Sequence, residues 1–179
     1  IRLQNNDGGW GWAAGQKSNQ YLSSYGLLVL SSASLAGFLV DPERDSKAQQ
    51  YVAASLYPVS AVKEDYELDR LALAHFALAK SGYGAVNRED LYQVRTRLSP
   101  WGQALLAMAL AYGDKARTNV LLADLQASAI RSATGAYWQV AGGKWFNNVN
   151  PLATTAMVVY ALAESDPASA LLSEAVRFL

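Results

Sequence analysis

Apolar residues along this chain come in short blocks of helical character, separated by polar stretches at fairly regular intervals. The blocks at 25–30, 71–76, 103–108 and 155–160 carry almost no charge and are built mainly from Ala, Leu and other apolar residues. Three of them run straight on into Ala-Leu-Ala, at 77–79, 109–111 and 161–163, before a polar break. Aligned on Leu30, Phe76, Met108 and Tyr160, they give a repeat of about 40 residues, the length of one helical hairpin. Between them, the segments 47–56, 88–98, 115–132 and 168–179 carry their charges mostly on one side. A helix that is apolar all round belongs inside a fold, and a helix with one charged face belongs outside. The pattern therefore predicts an all-α chain of about eight helices in four hairpins, with apolar inner helices wrapped by charged outer ones. No stretch alternates apolar and polar positions long enough to predict a strand. Asp41-Pro42 and Asp166-Pro167 read as matching helix starts, with Asp at the cap and Pro in the first turn.

The connecting loops repeat as well. Asp7-Gly-Gly-Trp-Gly-Trp12 precedes the first apolar block, and Thr134-Gly-Ala-Tyr-Trp138 with Gly142-Gly-Lys-Trp145 precedes the last. Adjacent glycines let the backbone turn tightly and let an indole lie flat against it. Loop carbonyls at a helix end can accept the indole N–H. Trp10, Trp12, Trp138 and Trp145 are thus expected to fasten one hairpin to the next.

Composition narrows the chemistry. The chain has 179 residues, 15 basic and 15 acidic side chains, one His and no Cys. That length fits a single domain, 1–179, with a sizeable core. Without Cys there is no disulfide, thiolate zinc site or thiol nucleophile, and one His cannot make a multi-histidine metal site. No metal or organic cofactor is implied. Balanced charge without a basic cluster argues against a nucleic-acid surface, and no apolar run reaches the ~18 residues of a membrane span. The chain opens on Ile1, which is read as a cut from something longer.

The string Gln4-Asn-Asn-Asp-Gly-Gly-Trp-Gly-Trp12, the Ala/Leu hairpin repeat and the second Trp loop together resemble the α/α-toroid superfamily. Its branches include triterpene cyclases, prenyltransferase β subunits and the thioester domains of complement and alpha-2-macroglobulin proteins. Cyclases of the squalene type use an Asp-x-Asp-Asp acid, which is absent; Asp65-Tyr-Glu-Leu-Asp69 comes nearest and is read as solvated or helix-start acids. Prenyltransferases bind zinc with a Cys that this chain lacks. What remains is similar to the bacterial alpha-2-macroglobulin thioester domain, supported in order by residues 3–12, 19–25, 36–42, 68–70 and 154–163.

The resemblance implies the C-terminal two-thirds of a toroid, about eight of about twelve helices, with the family's Cys-x-Glu-Gln thioester motif lying upstream. It implies a fragment of a protease-trapping, broad-spectrum peptidase inhibitor, not an enzyme, that works outside the cytoplasm. Its partners would be other domains of the parent and, through the parent, target proteases. In the family, cleavage of a bait region exposes the thioester to nucleophiles, so water must be excluded beforehand. Trp10, Trp12 and Tyr21 are candidates for that shield, with hairpin packing as the plainer role, and Gln4, Asp7, Gly8, Gly9 and Gly11 are expected to build the loop that holds them. His75 is a candidate for acyl transfer; a core residue with one satisfied hydrogen bond is the plainer reading. Two further readings stay open. One is a toroid enzyme, cyclase-like or lyase-like, with unrecognised acids. The other is a scaffold that binds partners through an open edge, with self-association as its sign.

Overall fold

A computed structural model describes residues 3–84, 86–140 and 150–179. Among the described residues the chain forms eight α-helices and one two-stranded sheet. They are α1 (Gln20–Leu35), α2 (Pro42–Ala54), α3 (Asp65–Lys80), α4 (Glu89–Gln93), α5 (Pro100–Leu110), α6 (Lys115–Ala127), β1 (Ile130–Ser132), β2 (Gly135–Tyr137), α7 (Pro151–Ser165) and α8 (Ala170–Phe178). Short 3-10 turns at Val59–Ala61 and Arg95–Arg97 complete the list. The fold is all-α, as the spacing of apolar blocks predicts.

The four apolar blocks become the odd-numbered helices, and these form a row. α3 packs between α1 and α5, and α5 packs between α3 and α7. α2 lies on α1, α6 on α5, and α8 on α7 and β2. Position in the row sets burial. α5 buries nine of its 11 residues and α3 buries 11 of its 16. α2 buries only Ala48 and Val52, and α8 only Leu171 and Ala175. Fully enclosed leucines such as Leu71, Leu73, Leu105 and Leu106 make the core, each worth roughly 1.5–3 kcal/mol of burial.

Helix starts follow local chemistry. The Asp41 side chain accepts the N–H groups of Glu43 and Arg44, with Pro42 in the first turn. Ser99 before Pro100 and Asn150 before Pro151 do the same for α5 and α7. Glu64 and Glu67 form a reciprocal capping box at α3, which satisfies two otherwise orphaned N–H groups.

Three sequence expectations are corrected. Asp166-Pro167 does not open a helix: Asp166 is the C-cap of α7, its N–H bonds to the Leu162 carbonyl, and α8 starts at Ala170. Its carboxylate instead accepts from Gln126 Nε2 at 3.0 Å. The helix expected over 115–132 ends at Ala127, and Ile130–Ser132 pairs antiparallel with Gly135–Tyr137. Three-residue strands are too short to show an alternation, so the hairpin left no pattern to read. It is held from outside, by Tyr137 stacked on Phe178 at 4.8 Å and by Arg131 on Glu174 at 3.2 Å. The helix expected over 88–98 is broken into α4 and the Arg95–Arg97 turn.

Candidate functional site

The starts of α3 and α5 lie side by side in the row. A cleft of about 780 Å³ opens there. It is lined by the first turns of α3 and α5, by Arg97 and Leu98 between them, and by Gln139 and Val140 after the β-hairpin.

The glycine–tryptophan loop at 4–12 is a closed hydrogen-bonded unit docked on α1 and α2. Gln4 Nε2 donates to the carbonyls of Gly8 and Arg44, both at 2.9 Å. Asp7 Oδ1 accepts from Gly9 N at 3.0 Å and from Ser18 Oγ at 2.7 Å. Trp10 N donates to Ser23 Oγ at 2.9 Å, which ties the loop to α1. Gly8 has φ +90, and a Cβ there would stand 2.2 Å from the Lys47 carbonyl oxygen, so only glycine lets the loop meet α2. Gly9 and Gly11 likewise pass close to Ser18 and to the Gln16 carbonyl. The Trp10 ring lies against Gly26 of α1, where a Cβ would come within 2.8 Å of it.

The aromatic candidates divide by position. Trp10 and Tyr21 are half-buried, and Tyr21 meets Tyr25 edge-on at 5.0 Å. Trp12 is 72% exposed. Trp138 is fully enclosed: its Nε1 donates to the Leu125 carbonyl at 2.8 Å and its backbone N–H to Thr155 Oγ1 at 3.3 Å, joining α6 to α7. Trp145, in the second half of the repeated loop motif, lies outside the described residues. Loops 4–12 and 134–138 therefore share a motif but not a structure, since part of the second is strand β2.

The acids near the cleft are more elaborate than solvated helix-start residues. Asp65 does pair with Arg97 at the surface, at 2.7 Å, and Glu67 caps α3. Asp69 is buried, 7% exposed. Its Oδ1 accepts the Ser99 N–H at 3.1 Å and its Oδ2 the Ser99 hydroxyl at 2.6 Å. Burial pushes its pKa up to about 6, against the opposing pull of the two Ser99 bonds. The Ser99-Pro100 dipeptide is the signal that could have located this pairing, since Ser before Pro marks the α5 cap that Asp69 extends.

His75 lies in the second half of α3, away from the cleft. It is as buried as Asp69, but its Nδ1 has no hydrogen-bond partner among the described residues. The position is the core one expected from sequence, with Nδ1 left unpaired among the described residues. Burial, and then the Arg88 guanidinium, hold its pKa down near 4, so it is neutral at physiological pH. Among the described residues no group of three or more His, Asp or Glu could hold a metal ion, and no helix is long and apolar enough to cross a membrane.

No protein-family model and no curated protein matches the chain. Solved structures do. Native Escherichia coli alpha-2-macroglobulin, from domain MG7 to the C-terminus, superposes with a TM-score of 0.73 over 99% of this chain at 14% identity. The chain has the fold of a segment of bacterial alpha-2-macroglobulin. The native E. coli protein seen by cryo-electron microscopy gives 0.72 at 15% identity, and the Salmonella protein reacted with methylamine gives 0.72 at 17%, each over 99% of this chain. The matched region is 28% of the first of those chains, 11% of the second and 12% of the third. At such identities the likeness is one of fold.

Proposed function

We propose that residues 1–179 are the C-terminal two-thirds of a thioester-type α/α-toroid domain in a bacterial alpha-2-macroglobulin, a protease trap rather than an enzyme. The observation that carries this reading is the whole-chain likeness to bacterial alpha-2-macroglobulins, over 99% of the residues. The Gln4–Trp12 string, a feature of the amino-acid sequence itself, supports the same reading. In this reading the thioester lies upstream, the chain alone captures nothing covalently, and the parent acts outside the cytoplasm. Trp10, Trp12 and Tyr21 stand on the loop and helix nearest the absent segment and would shield the acyl bond, whereas Trp138 packs hairpins. His75, buried in the far half of α3 and away from the cleft, is a core residue in this reading.

The test uses the longer protein that continues upstream of Ile1. Methylamine should release one thiol per chain, titratable only after treatment, and the release should follow a Cys-x-Glu-Gln sequence in the upstream frame. Absence of both would end the proposal. A corollary concerns the ends of the row. α1 leaves Val29 and Leu35 exposed, the segment after it leaves Phe38 and Leu39 exposed, and α7 leaves Leu152 exposed. Apolar edges of this kind associate, so the isolated chain should dimerise with rising concentration. A clean monomer in sedimentation at high concentration would count against an open edge.

One observation favours a second reading, a toroid enzyme: a buried carboxyl with a raised pKa beside a cleft is a common acid–base arrangement. Two facts weigh against it. Both oxygens of Asp69 are engaged by Ser99, and the neighbouring Asp65 is held by Arg97. Screening the chain for hydrolase and cyclase turnover with Asp69→Asn as control would revive this reading only if activity appeared and was lost in the variant.

A further inference from the structure

The seam between α3 and the start of α5 is closed by two links. Asp65 reaches Arg97 at the surface, at 2.7 Å. Beneath it, the Asp69 carboxyl grips Ser99 through both the backbone N–H and the hydroxyl. Ser99 Oγ accepts in turn from Gly102 N at 3.2 Å, so Asp69 extends the N-cap of α5 by one layer. Gly102 is what admits this approach: a Cβ there would stand 2.0 Å from Asp69 Oδ1. Asp65, Asp69, Arg97, Ser99 and Pro100 all line the 780 Å³ cleft, so the seam is also its wall.

We propose that Asp69 is a proton-operated tie: protonated, it holds α3 and the start of α5 together along the cleft, and ionised, it favours a parted, hydrated seam. The inference goes beyond the trap reading and does not depend on it. Protonation need not cost a partner, because a neutral carboxyl can donate its O–H to Ser99 Oγ while its other oxygen keeps the Ser99 N–H. Ionisation leaves a charge in a site that is largely buried, at 7% exposure, whereas parting the seam would hydrate it fully. In the closed seam the pKa is about 6; hydrated, it returns toward 3.8. The closed form thus binds the proton more tightly. Acid favours closure, and opening grows as pH rises from about 4 past about 6, by a factor on the order of 100.

The charged and titratable groups around Asp69 can be named element by element. On α3 they are Asp65, which raises the Asp69 pKa further, Tyr66 in the cleft wall and the adjacent Arg70. From the segment before α3 come Lys63 and Glu64, the latter engaged in the capping box. From the 3-10 turn comes Arg97, engaged with Asp65. The first turn of α5, residues 100–103, contributes no titratable side chain.

Amide exchange on the 179-residue chain tests the proposal. Opening constants for the Ser99 and Gly102 amides, corrected for intrinsic exchange, should rise with pH through a transition near 6 and stay flat in Asp69→Asn. A flat wild-type profile, or the same rise in the variant, would overturn it. Should Asp69→Asn fail to fold, Ser99→Ala decides the matter. Removing the hydroxyl that favours the ionised form should move the transition to higher pH, and an unmoved transition would overturn the proposal.

Discussion

The two halves of α3 handle a buried polar side chain in opposite ways. Asp69 and His75 are each 7% exposed on the same helix. In the first half, Asp69 meets the cap of α5 and has both oxygens occupied. In the second half, His75 faces Arg88 and its Nδ1 has no partner among the described residues. Equal burial therefore does not mean equal satisfaction. What differs is the neighbour: a helix start offers free N–H groups, while mid-helix walls offer only side chains, and here the nearby Arg88 guanidinium disfavours the protonated imidazole.

The largest expected effect tests that contrast through pH. Asp69 has a folded pKa raised from 3.8 to about 6, so its contribution is fully present below about pH 4 and is lost as pH rises through 6. His75 has a folded pKa lowered from 6.5 to about 4, so its contribution is present above 6.5 and is lost as pH falls through 4. Each shift corresponds to roughly 3 kcal/mol at most. Over about pH 4 to 6 the two slopes oppose and largely cancel in the wild type. Asp69→Asn should therefore make urea stability rise with pH across this window, relative to wild type, and His75→Phe should make it fall. If both variants track the wild-type profile, the two sites are not the opposed pair that their surroundings imply.

How much of this was legible beforehand depends on the range of the interaction. The apolar blocks at 71–76 and 103–108 announced α3 and α5, because a helix enclosed on all sides needs apolar residues at every turn. Asp41-Pro42 announced α2 through purely local geometry. Asp166-Pro167 has the same two letters and closes a helix instead, because Gln126, 40 residues away, takes up its carboxylate. Asp69 looked like its surface neighbours Asp65 and Glu67. Only the placement of Ser99 and Gly102 against it, 30 and more residues on, turned it into a buried acid. The His75 environment was hidden for the same reason: Arg88 comes from a different hairpin segment. Local chemistry was readable, and partners supplied by the next hairpin were not.

A smaller effect concerns the glycine that makes the Asp69 side of the comparison possible. Glycine inside a helix is unfavourable by about 0.5–1 kcal/mol relative to alanine, yet Gly102 stands in the first turn of α5. Gly102→Ala places a methyl 2.0 Å from Asp69 Oδ1, so it should destabilise by about 1–3 kcal/mol despite its better propensity. In an Asp69→Ala background the main obstruction is gone, and only the end of the Leu98 side chain, at 3.1 Å, must give way. There the same substitution should be neutral or mildly stabilising. A double-mutant cycle in denaturant measures the difference, and additive effects would show that Gly102 is not kept small by Asp69.

The smallest stability change is expected at Asp65, and it is informative for that reason. The Asp65–Arg97 pair is exposed, with side-chain exposures of 62% and 44%. Exposed pairs contribute roughly 0–1 kcal/mol, because water screens the charges and two long side chains must be ordered. Asp65→Asn should therefore barely move the urea midpoint. It should still move Asp69, since the Asp65 charge helps to raise the Asp69 pKa and its loss leaves Arg97 free to favour the ionised form. Carboxyl carbon chemical shifts should report an Asp69 transition displaced to lower pH while His75 titrates as before. A change that spread equally to His75 would mean that the two halves of α3 share one electrostatic environment, and the contrast between them would have to be explained by packing alone.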